Sequence, residues 1–280
     1  MQGKVCLITG ATSGIGFVTA QALAQQGAHV VLVGRDATRG ANSVAQIQRA
    51  TGNDAVDLLL ADLSSQADTS KLAETFQHRY ERLDVLVNNA GAIFTQRQMS
   101  VDGLEMTLAL NHLGYFLLTH LLLDMLKRSA PCRIVNVASS AHRRGRIHLD
   151  DLQGERTYNG WRAYCQSKLA NVMFTYELAN RLKDTHVTVN ALHPGFVATR
   201  FGHNNAWVKA QLIRAVQMLA ISAEKGAETT IYLSTAPEVE GVSGTYFVNK
   251  HKVRSSPQSY DAAIGKALWH MSEAMVGVGA

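Results

Sequence analysis

The fold is decided by residues 5–16, which read Val5-Cys6-Leu7-Ile8-Thr9-Gly10-Ala11-Thr12-Ser13-Gly14-Ile15-Gly16. The first four form an apolar run typical of a short buried strand, and helical periodicity follows from Phe17 to Gln26. The turn between them is spaced Gly-x-x-x-Gly-x-Gly instead of the standard Gly-x-Gly-x-x-Gly. Glycine lets a backbone approach a pyrophosphate closely, and the N–H groups at a helix start then hold the anion. The stretch predicts a phosphate-binding turn, with a tight turn that binds no ligand as the alternative.

Further apolar runs, separated by helical patterns, occur at residues 30–33, 56–60, 85–87, 134–137, 187–192 and 245–248. Strands that alternate with helices predict right-handed crossovers and a parallel sheet covered on both faces. The predicted fold class is α/β, a Rossmann-like doubly wound parallel sheet in a single domain over residues 1–280. In such a fold the ligand lies outside the carboxyl ends of the strands, where the strand order reverses.

Tyr164 and Lys168 form the second informative motif, in Tyr164-Cys165-Gln166-Ser167-Lys168. A helix over residues 163–182 places the phenol and the ammonium on one face, because side chains four residues apart are neighbours. Such a pair can act as an acid–base device, since a nearby cation favours the phenolate. Proton transfer near pH 7 requires the tyrosine pKa to fall by roughly three units from its ordinary ~10. The alternative is a buried aromatic ring beside a solvated lysine.

Two more motifs complete the pattern. Asn88-Asn89-Ala90-Gly91 follows the run at 85–87, and Ser139-Ser140 follows the run at 134–137. In order and spacing, the four motifs resemble those of the short-chain dehydrogenases/reductases over nearly the whole chain. Residues 111–119, 164–171 and 193–195 are similar to the retinol dehydrogenase-like branch of that family. The resemblance implies a Rossmann-like fold and an oxidoreductase that uses a nicotinamide cofactor.

The resemblance assigns a catalytic tetrad to Asn111, Ser140, Tyr164 and Lys168. During reduction, Tyr164 is expected to donate its phenolic proton to the carbonyl oxygen, and Ser140 to hydrogen-bond the same oxygen. Lys168 is expected to stabilise the phenolate and bind the nicotinamide ribose, while Asn111 supports a water that leads protons toward Lys168. Ser140 is preferred to Ser139 because the second serine of the pair usually faces the cleft in the family. Adjacent side chains of an extended segment point to opposite faces, so only one of them can do so.

The resemblance also implies a set of cofactor contacts. They are Gly10, Thr12, Ser13, Gly14, Ile15, Gly16, Arg35, Asp62, Leu63, Asn88, Ala90, Gly91, Tyr164, Lys168, Pro194, Gly195, Val197 and Thr199. Asp62 resembles the family residue that contacts the adenine amino group; as an N-cap of the helix beginning near Ser64 it would have a structural role, and the two roles are compatible. Pro194, Gly195 and Thr199 resemble the segment that holds the nicotinamide carboxamide. Without the glycine motif, His193-Pro194-Gly195 would be an ordinary loop.

The choice of cofactor depends on Gly34-Arg35-Asp36. In an NAD enzyme an acidic residue near the end of the second strand binds the ribose hydroxyls, whereas an arginine pairs with the 2′-phosphate of NADP(H). Glycine occupies the acid position here and Arg35 comes next, so NADP(H) is the predicted cofactor. Asp36 is the alternative ribose ligand if the strand runs farther. Ser13 supplies no charge where many NADP-preferring relatives have a basic residue.

The 280-residue chain is 46% hydrophobic and 18% charged, which is an ordinary globular composition. Its net charge is +5, and the sharpest basic cluster is Arg143-Arg144-Gly145-Arg146. No nucleic-acid-binding motif accompanies this cluster, so a solvated surface loop is the preferred interpretation. By resemblance to the retinol dehydrogenase-like branch, residues 142–162 around it are expected to rim the pocket. His142 and His148 are expected to be surface or loop histidines. The sequence has neither metal-ligand spacing nor the Gly-x-Ser-x-Gly elbow of hydrolases.

Cysteine usage and the start of the chain bear on location. Cys6, Cys132 and Cys165 are odd in number and lack metal spacing, which favours a reduced, cytoplasmic compartment. The first strand begins within a few residues of Met1, so no signal peptide or N-terminal anchor is expected, unlike in many animal retinol dehydrogenases. The best apolar stretch, 113–123, is shorter than the ~20 residues of a membrane span, so no integral membrane segment is predicted.

Two longer segments allow two interpretations each. Residues 202–221 are a substrate lid by resemblance, or an ordinary amphipathic surface helix by periodicity. The apolar stripes of 104–127 and 163–182 form a homo-oligomer interface in many family members, or they are buried against the sheet. A homo-oligomer is the prediction.

The predicted function is that of an NADP(H)-dependent oxidoreductase acting on a small-molecule carbonyl or alcohol. A bulky apolar substrate such as a retinoid or a lipid aldehyde is expected. The alternative is an NADPH-binding regulatory or scaffold protein with little turnover. Tyr164→Phe separates the two, because an enzyme loses turnover and keeps its cofactor affinity.

Overall fold

The structure, a computed structural model, describes residues 1–195 and 222–279. These residues contain one eight-stranded sheet, in the spatial order β3-β2-β1-β4-β5-β6-β7-β8. The strands are β1 (Val5–Thr9), β2 (His29–Gly34), β3 (Val56–Leu60), β4 (Val85–Asn88), β5 (Cys132–Val137), β6 (Val187–His193), β7 (Thr245–Val248) and β8 (His251–Lys252). Neighbours are parallel except β7 and β8, which are antiparallel. The predicted doubly wound α/β fold is confirmed, and its strand order reverses between β1 and β4.

Helices cover both faces of the sheet. They are α1 (Gly14–Gln25), α2 (Ala37–Thr51), α3 (Gln66–Arg79), α4 (Met106–Leu108), α5 (Gly114–Arg128), α6 (Gly160–Arg181), α7 (Ala223–Thr235) and α8 (Ala262–Val276). One apolar cluster joins α1, α2 and α7 to one face of the sheet, and a larger one joins α3, α5, α6 and α8 to the other. The sheet is therefore the middle layer of three.

Strand β2 shows why the strands read as continuous apolar runs. Val30 and Leu32 belong to the cluster on the α1 face, and Val31 and Val33 to the cluster on the α3 face. Successive side chains of a strand point to opposite faces, and both faces are covered here, so every position is apolar. The same parallel arrangement brings the carboxyl ends of β1, β2, β4, β5 and β6 to one edge of the sheet.

The apolar stripes of the two central helices are buried within the chain. Residues 164–175 of α6 are all buried, and α8 packs over them through Trp269, which contacts Phe116 and Phe174. In the described part of the chain, Met106–Arg128 is a helical stretch long and apolar enough to span a membrane, but 78% of its most apolar window is buried inside the fold. The second interpretation of these stripes, burial inside the fold, is therefore confirmed. A homo-oligomer stays a prediction.

The last strand of the sheet was not predicted from the sequence. Strand β8 pairs with β7 through a tight hairpin in which Asn249 and Lys250 have positive φ angles of 49° and 68°. No glycine marks this turn, so the sequence carried little signal for it. The predicted lid at 202–221 lies outside the described residues.

Candidate active site

A cavity of about 1140 Å³ opens at the carboxyl ends of the parallel strands. Its lining runs from the glycine-rich turn after β1 to Pro194 and Gly195 after β6, and it includes Tyr164 and Lys168 of α6. Small-ligand pockets measure roughly 300–1,000 Å³, so this cavity has room for a dinucleotide and a second molecule.

The turn between β1 and α1 has the properties of an anion cradle. Gly10 and Gly14 have positive φ angles of 64° and 57°, which glycine adopts at no steric cost. Among the described residues, Ser13 at the N-cap of α1 makes no side-chain capping bond, whereas Asp36 caps α2 and Ser65 caps α3. The N–H groups at the start of α1 are thus available to a ligand, and the helix dipole adds positive potential there. These features fit the pyrophosphate of a dinucleotide cofactor.

Most of the predicted cofactor contacts line this cavity: Gly10, Thr12, Ser13, Gly14, Ile15, Arg35, Leu63, Ala90, Gly91, Tyr164, Lys168, Pro194 and Gly195. Gly16 has a packing role instead. A Cβ on Gly16 would lie 2.5 Å from the carbonyl oxygen of Gly10 and 2.6 Å from Nδ2 of Asn89. Only glycine therefore lets α1 begin so close to the turn. Val197 and Thr199 lie outside the described residues.

The side chain of Asn88 has a structural role, and its contact with the cofactor stays a prediction. Its side chain is fully buried and donates hydrogen bonds to Oγ1 of Thr119 and Oδ1 of Asn136, at 3.0 and 2.9 Å. Asn88 therefore ties β4 to β5 and α5, and it does not line the described cavity. Asn89 lines it instead, and its Nδ2 donates to the carbonyl oxygen of Thr9 at 2.8 Å. Asn89 thereby fixes the start of the glycine turn.

Arg35 lies at the opposite end of the cavity from Tyr164. Strand β2 ends at Gly34, so it does not run on to Asp36, and Arg35 follows the strand directly. Nη1 of Arg35 lies 3.3 Å from Oδ2 of Asp62, and the Arg35 side chain is 57% exposed. An ion pair this exposed contributes about 0–1 kcal/mol, so a phosphate can take over the guanidinium at little cost.

Asp62 is neither a cavity-lining residue in the described part of the chain nor a helix cap. Its Oδ1 accepts hydrogen bonds from the amide and hydroxyl of Ser64, at 3.0 and 2.7 Å. The N-cap of α3 is Ser65, so the alternative role predicted for Asp62 is wrong. Burial raises the pKa of Asp62, but the hydrogen bonds from Ser64 and the charge of Arg35 outweigh it and leave the pKa below its ordinary value. Asp62 therefore stays ionised and orients Arg35.

Tyr164 and Lys168 lie on α6, and both are buried, with 6% and 3% of their surfaces exposed. Nζ of Lys168 donates to the carbonyl oxygen of Val137 at 3.0 Å, at the end of β5. The same nitrogen lies 5.8 Å from the centre of the Tyr164 ring. The predicted pair therefore exists, and both side chains line the cavity.

The titration of this pair differs from the expectation of a lowered tyrosine pKa. Burial raises the pKa of Tyr164 to about 12, against the opposing effect of a hydrogen bond from Ser139. Burial also lowers the pKa of Lys168 to about 7. Both shifts disfavour charge, because the cleft offers these groups little solvent. A phenolate at Tyr164 therefore requires Lys168 to be in its ammonium form beside it.

Ser139, and not Ser140, is the serine that hydrogen-bonds Tyr164. Ser139 has extended backbone angles, φ −167° and ψ 157°, and its side chain is the N-cap of a short 3-10 turn, Ser140–Arg144. Ser140 lines the cavity as well, but it is exposed. Because β5 ends at Val137, the alternation of side chains places Ser139 toward α6, and Ser139, not the predicted Ser140, is the serine placed to share a substrate oxygen with Tyr164.

Asn111 lies in a π-helical turn, Ala109–Leu113, between α4 and α5. Its Nδ2 donates to the carbonyl oxygen of Ala92 and to Oγ of Ser167, at 2.9 and 3.0 Å. Gly91 is the shared neighbour of Asn111 and Lys168: a Cβ on Gly91 would lie 3.2 Å from Oδ1 of Asn111 and 3.3 Å from Nζ of Lys168. The geometry thus brings Asn111 to Lys168 behind the cavity, as predicted, and Asn111 itself does not line the described cavity.

Comparison with known proteins agrees with this geometry. The family profile described as short chain dehydrogenase matches residues 4–208. The chain belongs to the short-chain dehydrogenase family. It is 41% identical to retinol dehydrogenase 11 of Homo sapiens over 278 residues, which cover 99% of this chain and 87% of that protein. It is 42% identical to retinol dehydrogenase 14 of Homo sapiens over 294 residues, 99% and 88% of the two chains. The predicted membership of the retinol dehydrogenase-like branch is confirmed.

Two solved structures are similar to this fold. An uncharacterized protein from Mycobacterium paratuberculosis has a TM-score of 0.79 and 32% identity, and the match covers 99% of this chain and 94% of that one. The active-site complex of RhlG from Pseudomonas aeruginosa with NADP has a TM-score of 0.70 and 29% identity, with 88% and 94% covered.

His142 is the site residue of this short-chain dehydrogenase that the sequence analysis placed wrongly. It is fully buried, not at the surface. Its Nδ1 lies 2.6 Å from the carbonyl oxygen of Ser139, and its Nε2 accepts a hydrogen bond from the amide of Ser256 at 3.1 Å. Nδ1 therefore carries the proton, and the imidazole is neutral. His142 holds the backbone of Ser139 against the C-terminal part of the chain.

Replacing Ser139 with alanine is expected to lower kcat by about 10–100-fold, because a hydrogen bond to the reacting oxygen is lost. Ser140→Ala is the matched control and should stay within about twofold of the parent, since its hydroxyl does not contact Tyr164. Because Ser139 also caps the following turn, Ser139→Thr should restore most of the rate by restoring the hydroxyl. Steady-state kinetics of the variants measure these changes. Equal losses of kcat in Ser139→Ala and Ser140→Ala would contradict the assignment of Ser139 to the reacting oxygen.

Within residues 1–195 and 222–279, no group of three or more His, Cys, Asp or Glu side chains is placed to hold a metal ion.

Proposed function

We propose that this short-chain dehydrogenase is an NADP(H)-dependent oxidoreductase that interconverts a carbonyl group and an alcohol in a bulky apolar small molecule. The observation that carries this proposal is one cavity containing both an uncapped helix start with a glycine turn and the cluster of Tyr164, Ser139 and Lys168. The first feature binds a phosphate-bearing cofactor, and the second handles a proton at a substrate oxygen. Retinoids and lipid aldehydes are the substrates we expect first, because the named relatives are retinol dehydrogenases. A cytoplasmic location and a homo-oligomer belong to the same proposal.

The chain's own residues provide the acid–base chemistry. A bound nicotinamide cofactor supplies or accepts the hydride at the substrate carbon. Tyr164 gives its phenolic proton to the oxygen during reduction, and the hydroxyl of Ser139 donates a hydrogen bond to the same oxygen. Lys168, held by the carbonyl oxygen of Val137, stabilises the phenolate that remains. The proton that restores Tyr164 arrives by way of Lys168 and Asn111, whose side chains both lie next to Gly91.

The end of β2 supports NADP(H) over NAD(H). A Cβ on Gly34 would lie 2.5 Å from Cγ2 of Thr12, so an acidic side chain has no room at the ribose position. The carboxylate of Asp36 is already used, because it accepts from the amide of Arg39 and pairs with its Nη2, both at 2.9 Å. Arg35 and Arg39 both line the cavity there. Two guanidiniums suit a 2′-phosphate better than a pair of ribose hydroxyls.

NADPH is expected to bind at least about tenfold more tightly than NADH, because the 2′-phosphate of NADPH accepts one or two additional charge-assisted hydrogen bonds. Arg35→Gln should weaken NADPH by about tenfold and leave NADH within about twofold. Arg49→Gln, on the exposed face of α2, is the control and should change neither. Fluorescence titration of each variant with both cofactors measures this. Tighter binding of NADH by the parent protein would refute the preference for NADP(H).

The enzymatic proposal itself is tested with a panel of retinoid, aliphatic and aromatic aldehydes and ketones. Loss of NADPH absorbance should depend on the carbonyl compound, and long apolar members should have the lowest KM. The alternative, a regulatory NADPH-binding protein, predicts saturable cofactor binding without turnover. Absence of turnover across the panel with intact NADPH binding would therefore overturn the enzymatic proposal.

A further inference from the structure

The basic cluster at residues 143–146 is divided by the fold. All three arginines are exposed. Arg143 and Arg144, in the 3-10 turn that directly follows Ser139, also line the cavity, and Arg146 is not part of the described lining. We call Arg143 and Arg144 the arginine wall. The exposure of all three side chains agrees with the solvated loop that the sequence favoured, and two of them also line the cavity that contains Tyr164.

The arginine wall has a fixed base. Nη2 of Arg143 donates to the carbonyl oxygen of Arg254 at 2.7 Å. Gly145 packs so closely on the carbonyl of Cys165 in α6 that a Cβ would overlap it. His142, in the same turn, is anchored to Ser139 and Ser256. A cation on a fixed loop loses less conformational entropy when it binds a ligand than one on a free loop does.

The charge of the arginine wall is not compensated. Within residues 1–195 and 222–279, neither arginine pairs with a carboxylate. In the described lining the carboxylate is that of Asp36, at the other end of the cavity and engaged by Arg39. The sequence of residues 196–221 contains no Asp or Glu that could supply one. Two guanidiniums therefore share this end of the cleft without a counter-charge.

Neighbouring groups do not replace the arginines as anion ligands. Burial, and after it the neighbouring His142 and Arg143, lowers the pKa of His193, and burial also lowers the pKa of His142, so both imidazoles are neutral at pH 7. Tyr246, which packs on His142, has its pKa raised by burial and is a neutral phenol. The cofactor phosphates belong near β1 and β2. Strand β5, which leads to the arginine wall, is two strands from β1, roughly 10 Å away at ~4.8 Å per strand.

The cavity that the arginine wall lines also has an apolar lining near Tyr164. Trp161 lies one turn before Tyr164 on α6, it is 47% exposed, and its ring is stacked at 5.8 Å from the Tyr164 ring. Ala141 and Leu110 also line this end. An apolar surface leading from the reacting group to two guanidiniums suits a molecule that is apolar near its carbonyl and anionic farther away.

We propose that Arg143 and Arg144 bind an acidic group of the substrate, so that the preferred substrates are apolar carbonyl or alcohol compounds bearing a carboxylate. This inference rests on the proposed function for the reacting group and narrows its substrate class. Guanidiniums bind carboxylates through paired, charge-assisted hydrogen bonds, which explains why arginines occupy the two positions.

Matched ligands test the arginine wall without turnover. The protein saturated with NADP⁺ is titrated by calorimetry with 4-formylbenzoate and with the neutral amide of the same shape, 4-formylbenzamide. The carboxylate should bind at least about tenfold more tightly, and the ratio should fall as salt is raised. Arg143→Gln and Arg144→Gln, singly and together, should bring the ratio toward one without weakening NADP⁺. Arg146→Gln is the matched control and should keep the ratio.

If loss of the contact with Arg254 destabilises Arg143→Gln, the ratio of the two affinities is measured with Arg144→Gln alone. Equal affinity of the parent protein for the two aldehydes, or a ratio that persists in the double variant, would overturn the inference. Kinetics with NADPH keep it separate from the proposed function. Arginine-dependent binding of the carboxylate without reduction would refute the enzyme and leave the anion site standing. Reduction of both aldehydes without arginine-dependent selectivity would refute the anion site alone.

Discussion

Tyr164→Phe is expected to lower kcat by about 10²–10⁴-fold, the range that general acid–base catalysis contributes, while the cofactor dissociation constant changes by less than about twofold. The phenyl ring fills the same space between Trp161 and Lys168 but has no proton to give. Because the Tyr164 hydroxyl acts on a developing charge, its loss should appear mainly in kcat and much less in KM. Single-turnover measurements with saturating NADPH isolate this effect from product release.

Tyr115→Phe is the matched control for this experiment. The Tyr115 ring centre lies 5.7 Å from Nζ of Lys168, as close as that of Tyr164 at 5.8 Å, yet Tyr115 is completely buried outside the described cavity lining. In the described part of the chain its hydroxyl has no hydrogen-bond partner. Removing that hydroxyl should leave kcat within about twofold and stability unchanged or slightly raised. Equal losses of turnover in the two variants would show that proximity to Lys168, and not the proton of Tyr164, is what matters.

The sequence could predict those parts of the site that depend on local patterns. The β1 run, the glycine turn and the start of α1 depend on neighbours within a dozen residues, and the structure has them where the pattern indicates. Tyr164 and Lys168 share a face because helical spacing alone requires it. Family resemblance favoured Ser140 over Ser139, because the alternation of side chains along a strand can choose between them only when the residue at which β5 ends is known. Val137 ends that strand, and this depends on its pairing with β6.

Other features depend on contacts far away in sequence. Asn111 lies in a π-helical turn that the neighbouring sequence does not predict, and its side chain is fixed by hydrogen bonds to Ala92 and Ser167. His142 precedes two arginines and so reads as a surface residue, yet it is buried by Ser256, more than a hundred residues later. A buried imidazole with one donor and one acceptor on opposite sides can be recognised only when both partners are in place.

Lys168→Met is expected to reduce turnover by at least about 10²-fold, because the phenolate of Tyr164 loses the cation that stabilises it. Unlike Tyr164→Phe, this change should also weaken the cofactor, since Lys168 lines the cavity where the nicotinamide ribose is expected. Because the ammonium form of Lys168 stabilises the phenolate, the activity of the parent enzyme should fall as the pH rises and Lys168 loses its proton; the pKa of Lys168 is about 7 in the cofactor-free cleft. Activity that falls as the pH is lowered through about 7 would instead mean that the neutral amine is the active form.

The same substitution is expected to stabilise the cofactor-free protein. The pKa of Lys168 falls on folding from its ordinary 10.5 to about 7, so the unfolded chain binds a proton more readily than the folded one between these values. The resulting destabilisation is absent above pH 10.5, grows as the pH falls, and is complete below about pH 7. Methionine removes it and forfeits only the hydrogen bond to Val137, for a net gain of about 1–3 kcal/mol at pH 7.

Thermal unfolding at pH 7 and at pH 10 measures this gain, with Lys183→Met, an exposed residue just beyond the end of α6, as the control. The melting temperature of Lys168→Met should rise by a few degrees at pH 7 and by less at pH 10, while Lys183→Met changes neither. A rise would show that the buried Lys168 lowers the stability of the protein, as expected for a residue that is needed for catalysis and not for packing. A lower melting temperature at pH 7 would mean that the Lys168 ammonium is solvated in the cleft and that its pKa is not depressed.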